Sequence, residues 1–355
     1  MSSAHRIYPV VSAAFKLPPV CVVVLNLLFL PAIAFCGPPE IAWRTHTGDA
    51  AVHGSVLLDG RVYVTSKAKI TELDPATGEI RRFLLPPDAT ALSAPPVSDG
   101  AELIAGDAAG RLLAWSDGSF AAVRIPARQR RALTAVLPRD GGGVYAAGER
   151  GCVLASDPDG TRVWSRCTGG AIGIGLAAGG DRVLAADSTG HVTAWDAANG
   201  GLRWSYTMDA PLAAAPLLTD DAVYLAGTDG HLYKLDRLRG ILRWRVHLGD
   251  RVHGAPAVAG GLVVVATEGR GLVAIDAAKG RARWRAALPK TTATPAILGD
   301  LVVVGASDQA LHAFHTSNGA PAWHLRLDSA VLAPPLLHDD GILVVNEDGV
   351  VYCLR

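Results

Sequence analysis

Residues 210–250 read APLAAAPLLTDDAVYLAGTDGHLYKLDRLRGILRWRVHLGD and contain four short apolar or aromatic runs. These runs are residues 213–218, 222–226, 231–236 and 242–246, and turns rich in Asp and Gly separate them. Short runs of this composition between such turns are typical of antiparallel strands. No part of the stretch sustains the i, i+3, i+4, i+7 spacing of an amphipathic helix. The stretch therefore predicts one four-stranded antiparallel sheet.

The same unit recurs along the chain with a period near 40 residues. Five units end in a tryptophan at steps of 40, 40, 40 and 39 residues: Trp164, Trp204, Trp244, Trp284 and Trp323. Trp43 precedes the first of these by 121 residues, or three further steps. Opening strands begin near eight positions: Val52, Ser93, Leu133, Ile172, Ala213, His253, Thr292 and Leu332. This period predicts an all-β protein, an eight-bladed β-propeller of four-stranded antiparallel blades.

The two ends of the chain predict how the ring closes. The last unit stops at Arg355 after three strands, whereas Ile41–Thr45 reads as a fourth strand that lacks the first three. We expect residues 41–45 to pair with residues 350–354, so that the N-terminal strand joins the last blade and no sheet edge is left inside the ring.

The tryptophans have a structural explanation. Blades diverge from a central axis, so a wedge opens between neighbours at the rim, and an indole ring buries roughly 150–250 Å². We expect all six to dock one blade on the next: Trp43, Trp164, Trp204, Trp244, Trp284 and Trp323.

The hairpin before each tryptophan resembles the PQQ-like propeller repeat. Residues 194–200, AWDAANG, lead to Trp204, and residues 274–280, AIDAAKG, lead to Trp284. Residues 73–78, LDPATG, keep the turn, but Arg81 and Arg82 stand where the tryptophan is expected. The repeat is shared by quinoprotein dehydrogenases and by the BamB family of outer-membrane assembly proteins, and the likeness extends over nearly all of the chain from Ile41.

The first 34 residues differ in composition from the rest. Arg6 and Lys16 are their only Lys, Arg, Asp or Glu residues, and the apolar run 20–30 is followed by an Ala-x-Ala site at residues 32–34. This predicts a cleaved signal peptide (1–34), a lead (35–40), the propeller (41–355) and a periplasmic or secreted protein. Cys36 offers an alternative, a lipid anchor, although a bulky residue precedes it. The apolar run is too short for a membrane-spanning helix.

Charge and cysteines narrow the function further. The chain has 33 Lys and Arg against 33 Asp and Glu, so we expect no nucleic-acid partner. We also expect a monomer. Cys152 and Cys167 flank a predicted hairpin whose turn is residues 157–160. We expect a disulfide between them, the alternative being two small buried residues. A bridge between Cys36 and Cys353 is a weaker expectation.

Candidate catalytic groups are few. The resemblance implies adjacent cysteines, calcium-binding acids and a base in a quinoprotein dehydrogenase, and this chain has no adjacent cysteines. Asp196, Asp236 and Asp276 occupy hairpin turns, where Asp has a local structural role. We therefore expect no catalysis, no cofactor and no metal site.

Two groups of residues are candidates for binding. His53 and His253 begin the first strand of two blades, so they are expected near the axial channel, where they either hold a small ligand or are solvated. The second group lies in and around the connection 125–133, and it either binds an acidic partner or forms a solvated loop: Arg124, Arg128, Arg130, Arg131 and Arg139.

These observations favour an exported protein-interaction scaffold. The resemblance to the BamB family implies another protein as partner, namely the outer-membrane β-barrel assembly machinery. The alternative is a cofactor- or sugar-binding propeller related to quinoprotein dehydrogenases.

Overall fold

The protein is an all-β ring. The computed structural model describes residues 37–50, 55–98, 102–116, 132–173, 175–252, 254–269, 271–291, 293–331, 333–338 and 341–355, and the backbone of residues 119–123. These ranges form eight antiparallel sheets of four strands each, which confirms the predicted eight-bladed propeller. Within them, no helix is long and apolar enough to span a bilayer.

The strands are numbered along the chain, and β1 (Ile41–His46) belongs to the last blade. Blade 1 contains β2 (Ser55–Leu58), β3 (Arg61–Thr65), β4 (Ile70–Leu73) and β5 (Ile80–Leu84). Blade 2 contains β6 (Val97–Ser98), β7 (Leu103–Gly106), β8 (Leu112–Ser116) and β9 (Ser119–Val123). Blade 3 contains β10 (Leu133–Pro138), β11 (Val144–Gly148), β12 (Cys152–Ser156) and β13 (Arg162–Cys167). Blade 4 contains β14 (Leu176–Gly179), β15 (Arg182–Ala186), β16 (His191–Asp196) and β17 (Leu202–Thr207).

The remaining blades repeat this order. Blade 5 contains β18 (Leu217–Leu218), β19 (Ala222–Ala226), β20 (His231–Asp236) and β21 (Leu242–His247). Blade 6 contains β22 (Ala257–Ala259), β23 (Leu262–Thr267), β24 (Gly271–Asp276) and β25 (Ala282–Ala286). Blade 7 contains β26 (Ala296–Leu298), β27 (Leu301–Gly305), β28 (Ala310–His315) and β29 (Pro321–Arg326). Blade 8 contains β30 (Leu336–His338), β31 (Gly341–Val345), β32 (Val350–Leu354) and β1.

The two ends of the chain close the ring as predicted. Strand β1 is the outermost strand of blade 8 and pairs antiparallel with β32, with Ile41 opposite Leu354 and His46 opposite Val350. Glu40 and Arg355 extend the ladder by exchanging two backbone hydrogen bonds of 2.8 and 3.0 Å. Closure therefore rests on backbone pairing between the first and last strands of the ring.

The hydrophobic core lies between blades. Tyr224 and Leu232 of blade 5, for example, pack with Val263 and Val273 of blade 6. Because the middle strands are covered on both faces, residues 262–267 are buried throughout instead of alternating with exposed residues.

Each blade has two distinct axial ends. At the hairpin end, the third strand turns into the outermost strand, and at the linker end the outermost strand leads to the next blade. Strand β1 begins at the hairpin end of blade 8, because Ile41 lies opposite the last residue of β32.

Candidate functional site

The predicted docking tryptophans pack on the hairpin turn of the following blade. Five of them donate Nε1–H to a backbone carbonyl of that turn at 2.7–3.1 Å: Trp43, Trp164, Trp204, Trp244 and Trp284. In each case the ring covers a turn glycine. A Cβ built on Gly240, for instance, would lie 2.5 Å from the Trp204 ring. Trp323 is buried with Leu354 at the closing blade, where the chain end replaces the hairpin turn.

The turn aspartates hold the hairpins together. The carboxylate of Asp236 accepts hydrogen bonds from the backbone N–H groups of Leu238 and Arg239 at 3.0 and 2.9 Å. It also forms an ion pair of 2.5 Å with Arg243. Arg243 occupies a β-bulge between the paired residues Leu242 and Trp244, and such a bulge re-aims the side chain, here back to the turn. The Arg243 guanidinium and these N–H groups hold the pKa of Asp236 below its ordinary value.

Three other hairpins repeat the arrangement, with Asp74–Arg81, Asp196–Arg203 and Asp276–Arg283 as the ion pairs. The hydrogen bond from Arg283, followed by backbone N–H groups, lowers the pKa of Asp276 to about 2. These carboxylates are committed to turn structure. Among the described residues, no group of three or more His, Cys, Asp or Glu side chains is arranged to hold a metal ion.

Several predicted binding residues lie outside the described residues: His53, His253, Arg124, Arg128, Arg130 and Arg131. Arg139, at the margin of the predicted basic loop, instead forms an ion pair of 2.7 Å with Asp157 within blade 3.

The cysteines of blade 3 face each other across β12 and β13. Cys152 pairs with Cys167 in the strand register, and a disulfide joins their sulfur atoms, with the two Cα atoms 3.9 Å apart. Cys353 is buried in the closing blade opposite Trp43, and Cys36 lies outside the described residues.

Blades 1 and 2 depart from the repeat at the tryptophan position. In blade 4 the tryptophan lies opposite an alanine of the third strand. The same register position in blade 1 pairs Arg82 with Glu72, and in blade 2 it pairs Ala122 with Ala114. We call these two blades, residues 55–123, the blade 1–2 sector. Neither outermost strand of this sector carries a docking indole.

The outer hairpin of blade 1 lines a charged cavity of about 570 Å³. Glu72 is 1% exposed and forms ion pairs of 2.6 Å with both Arg61 and Arg82. A lone buried carboxylate would be costly, so the two guanidinium groups explain why Glu72 is tolerated. Asp59, Gly60, Asp74 and Arg81 complete the lining.

Apolar side chains lie exposed in β5 and directly after its end. Phe83 is 48% exposed and Leu85 is 60% exposed. The Nζ atom of Lys69 lies 4.3 Å from the Phe83 ring centroid, a cation–π contact. Aromatic and aliphatic side chains beside ion-paired arginines match the composition of protein interfaces. The sequence signal was the pair Arg81–Arg82 in place of the tryptophan, but the exposure of the following residues was not predicted.

Comparisons with known proteins agree with the fold. A family model described as outer membrane protein assembly factor BamB matches residues 149–355. No curated protein matches the sequence significantly.

Three solved structures are similar at low sequence identity. The computationally designed Ika8 protein aligns with a TM-score of 0.78 and 17% identity over 90% of this chain and 100% of its own. BamB from Moraxella catarrhalis aligns at 0.74 and 17%, covering 89% of this chain and 99% of its own. Saccharomyces cerevisiae Sqt1 aligns at 0.74 and 12%, covering 89% and 98%. At these identities the likeness shows the fold alone.

Proposed function

The chain belongs to the outer membrane protein assembly factor BamB family, and on that premise we propose that it is an exported, non-catalytic scaffold that binds another protein during outer-membrane protein assembly. Propeller folds host many activities, so the fold by itself does not assign this one. Family membership supports the class of function, and the blade 1–2 sector supports the location of the binding surface.

The observation that carries the location is the exposure of Phe83 and Leu85, which follow the cavity-lining residues Arg81 and Arg82 along the chain. In the blades that have a rim tryptophan, the indole ring packs against the next blade. In blade 1 the equivalent position holds Arg82, and the apolar side chains two and four positions beyond the bulge residue Arg81 are left at the surface. A partner that covers these side chains gains apolar burial, and the neighbouring arginines favour acidic groups on its rim.

The proposed partner is the β-barrel insertion component of the outer-membrane assembly machinery. The experiment is capture of that component, identified by mass spectrometry, from detergent-solubilised envelopes of the source cells. Phe83→Ser and Leu85→Ser together should weaken its binding about 30-fold, since each replacement removes an apolar contact worth on the order of 1 kcal/mol and 1.4 kcal/mol corresponds to about tenfold. Leu202→Ser, which alters an exposed leucine on the other side of the ring, is the matched control. Equal recovery by the double variant and the parent protein would refute the location.

The non-catalytic part of the proposal has its own test. Pyrroloquinoline quinone with calcium should leave the melting temperature unchanged and produce no dye-linked alcohol oxidation. A saturating ligand that binds the folded state must raise the melting temperature, so such a rise would favour the quinoprotein alternative.

Export is tested by intact mass. Protein recovered from the periplasm should begin at Phe35 without a lipid, because Ala32 and Ala34 satisfy the small-residue requirement for cleavage. A diacylglycerol adduct on Cys36 would replace the soluble periplasmic location with a membrane anchor.

A further inference from the structure

A second apolar surface lies at the hairpin end of blades 4 and 5. Leu202 is 67% exposed, Leu238 62% and Ile241 53%, and Leu242 is also exposed. All four side chains lie in a hairpin connection or at the first position of an outermost strand. They are large aliphatic groups at protruding positions, where polar side chains would be expected if the surface faced only water.

These side chains belong to one blade junction. The Trp204 ring lies against Gly240, and its Nε1 donates to the carbonyl of Arg237 at 2.8 Å. Leu202 precedes this tryptophan by two residues, and Leu238 and Ile241 stand on either side of Gly240. Docking of blade 4 on blade 5 therefore brings the leucine of one blade next to the turn of the other. We call these four aliphatic residues and the three cations described next the blade 4–6 hairpin surface.

The same hairpins carry an excess of positive charge. Residues 196–203, 236–243 and 276–283 contain three Asp and seven Lys or Arg. Each Asp is held by the arginine seven positions later. Three further cations of these turns are exposed and have no ion pair within the described part of the chain: Arg239, Lys279 and Arg281.

We propose that the blade 4–6 hairpin surface docks on an anionic lipid bilayer. Aliphatic side chains on turn tips can enter the interfacial region of a bilayer, while neighbouring cations remain at the level of the phosphate groups. The surface protrudes, so it suits a deformable lipid interface better than a rigid protein groove. The chain also enters the ring at this end, because β1 begins at the hairpin end of blade 8.

This docking goes beyond the proposed scaffold function and leaves the blade 1–2 sector available. Blade 5 lies four blades from blade 1, on the opposite side of the eight-bladed ring. A bilayer at one side of the hairpin end and a protein at the opposite rim can therefore be bound at once.

The test is hydrogen–deuterium exchange of the purified protein with and without vesicles. Vesicles of phosphatidylcholine with about 30% phosphatidylglycerol should slow exchange in residues 196–203, 236–243 and 276–283, and pure phosphatidylcholine vesicles should not, because the attraction requires anionic headgroups. Because this readout is local, an N-terminal segment that also binds lipid does not obscure it.

Two variants separate the apolar and electrostatic contributions. Leu238→Ser with Ile241→Ser should abolish the protection. A triple variant that changes the three unpaired cations to Gln should weaken binding to the anionic vesicles on the order of 100-fold. The matched controls are Leu85→Ser, an equally exposed leucine at the linker end, and Arg326→Gln, an exposed arginine of blade 7; both should keep the protection.

Three results would overturn the proposal. One is the absence of protection with anionic vesicles, and another is equal protection with neutral vesicles. The third is loss of partner capture, without loss of vesicle protection, in the Leu238→Ser, Ile241→Ser variant, which would assign the surface to a protein instead. The two vesicle results do not depend on whether the blade 1–2 sector binds the assembly machinery.

Discussion

Replacing Gly240 with alanine tests how tightly one blade is docked on the next. Gly240 has a φ of +67°, and a Cβ built on it would lie 2.5 Å from two carbon atoms of the Trp204 ring. Gly299 has a φ of +61°, and a Cβ built there meets nothing within 4 Å. The two substitutions therefore impose nearly the same backbone conformation on alanine, and they differ in the contact with the indole.

The expected difference follows from these two contributions. Alanine in the left-handed region costs about 1–2 kcal/mol at either site. At Gly240 the ring must also shift out of a packed position, and overpacking of this kind costs typically about 1–3 kcal/mol. Unfolding entropy is about 2.1 cal/mol/K per residue, so for a ring of roughly 315 residues each 1 kcal/mol lowers the melting temperature by about 1.5 °C.

The assay is thermal unfolding followed by circular dichroism, with urea unfolding as an independent measure. Gly240→Ala should melt about 1.5–4.5 °C below Gly299→Ala. A double variant with Trp204→Ala should show a smaller penalty for the alanine, because the clash is then removed. Equal melting temperatures for the two glycine variants would refute the idea that the turn glycine exists to admit the ring.

Deleting residues 41–45 should lower the melting temperature sharply, because β32 loses its outer neighbour; an unchanged melting curve would contradict ring closure by β1. Arg283 holds the pKa of Asp276 at about 2. The stability that the ionised Asp276 contributes is therefore complete above the unfolded pKa near 4 and is lost as the pH falls through the folded pKa. The melting temperature should drop between about pH 4 and pH 2, and Arg283→Gln should make that drop smaller. Replacing Cys152 and Cys167 with serine should lower the free energy of unfolding in urea by at most about 3 kcal/mol, since the closed loop spans 15 residues and neighbouring strands already restrain it; a non-reducing peptide map with both thiols free would argue against the bridge.

The fold could be predicted from sequence because its determinants are local and repeated. Turn residues rich in Asp and Gly recur at the hairpins, and a tryptophan marks six of the eight outermost strands, so the period and the eight opening strands predicted the number of blades. Closure followed from the unmatched strands at Ile41–Thr45 and at the C-terminus, which the register of β1 and β32 confirms.

The surfaces were harder to predict because they depend on neighbouring blades. Leu202 and Leu242 look like ordinary strand residues, and they are exposed because they begin an outermost strand that nothing covers. Glu72 looks like a surface residue, yet it is buried between two arginines, where four other blades have an alanine opposite the tryptophan. A β-bulge turns the Arg243 side chain back to Asp236, seven residues earlier in the sequence. That spacing predicts no contact unless the strand register is known.

Closure by the first strand makes completion of the ring depend on β32. During synthesis β1 is made before the other strands of the ring and its partner β32 after them, since His46 lies opposite Val350. A product that stops before β32 keeps an open sheet edge in blade 8 and a β1 strand without a partner, and such edges invite aggregation and proteolysis. Only a chain that includes β32 can bury both, so a cell that degrades open-edged intermediates selectively retains molecules whose ring is closed.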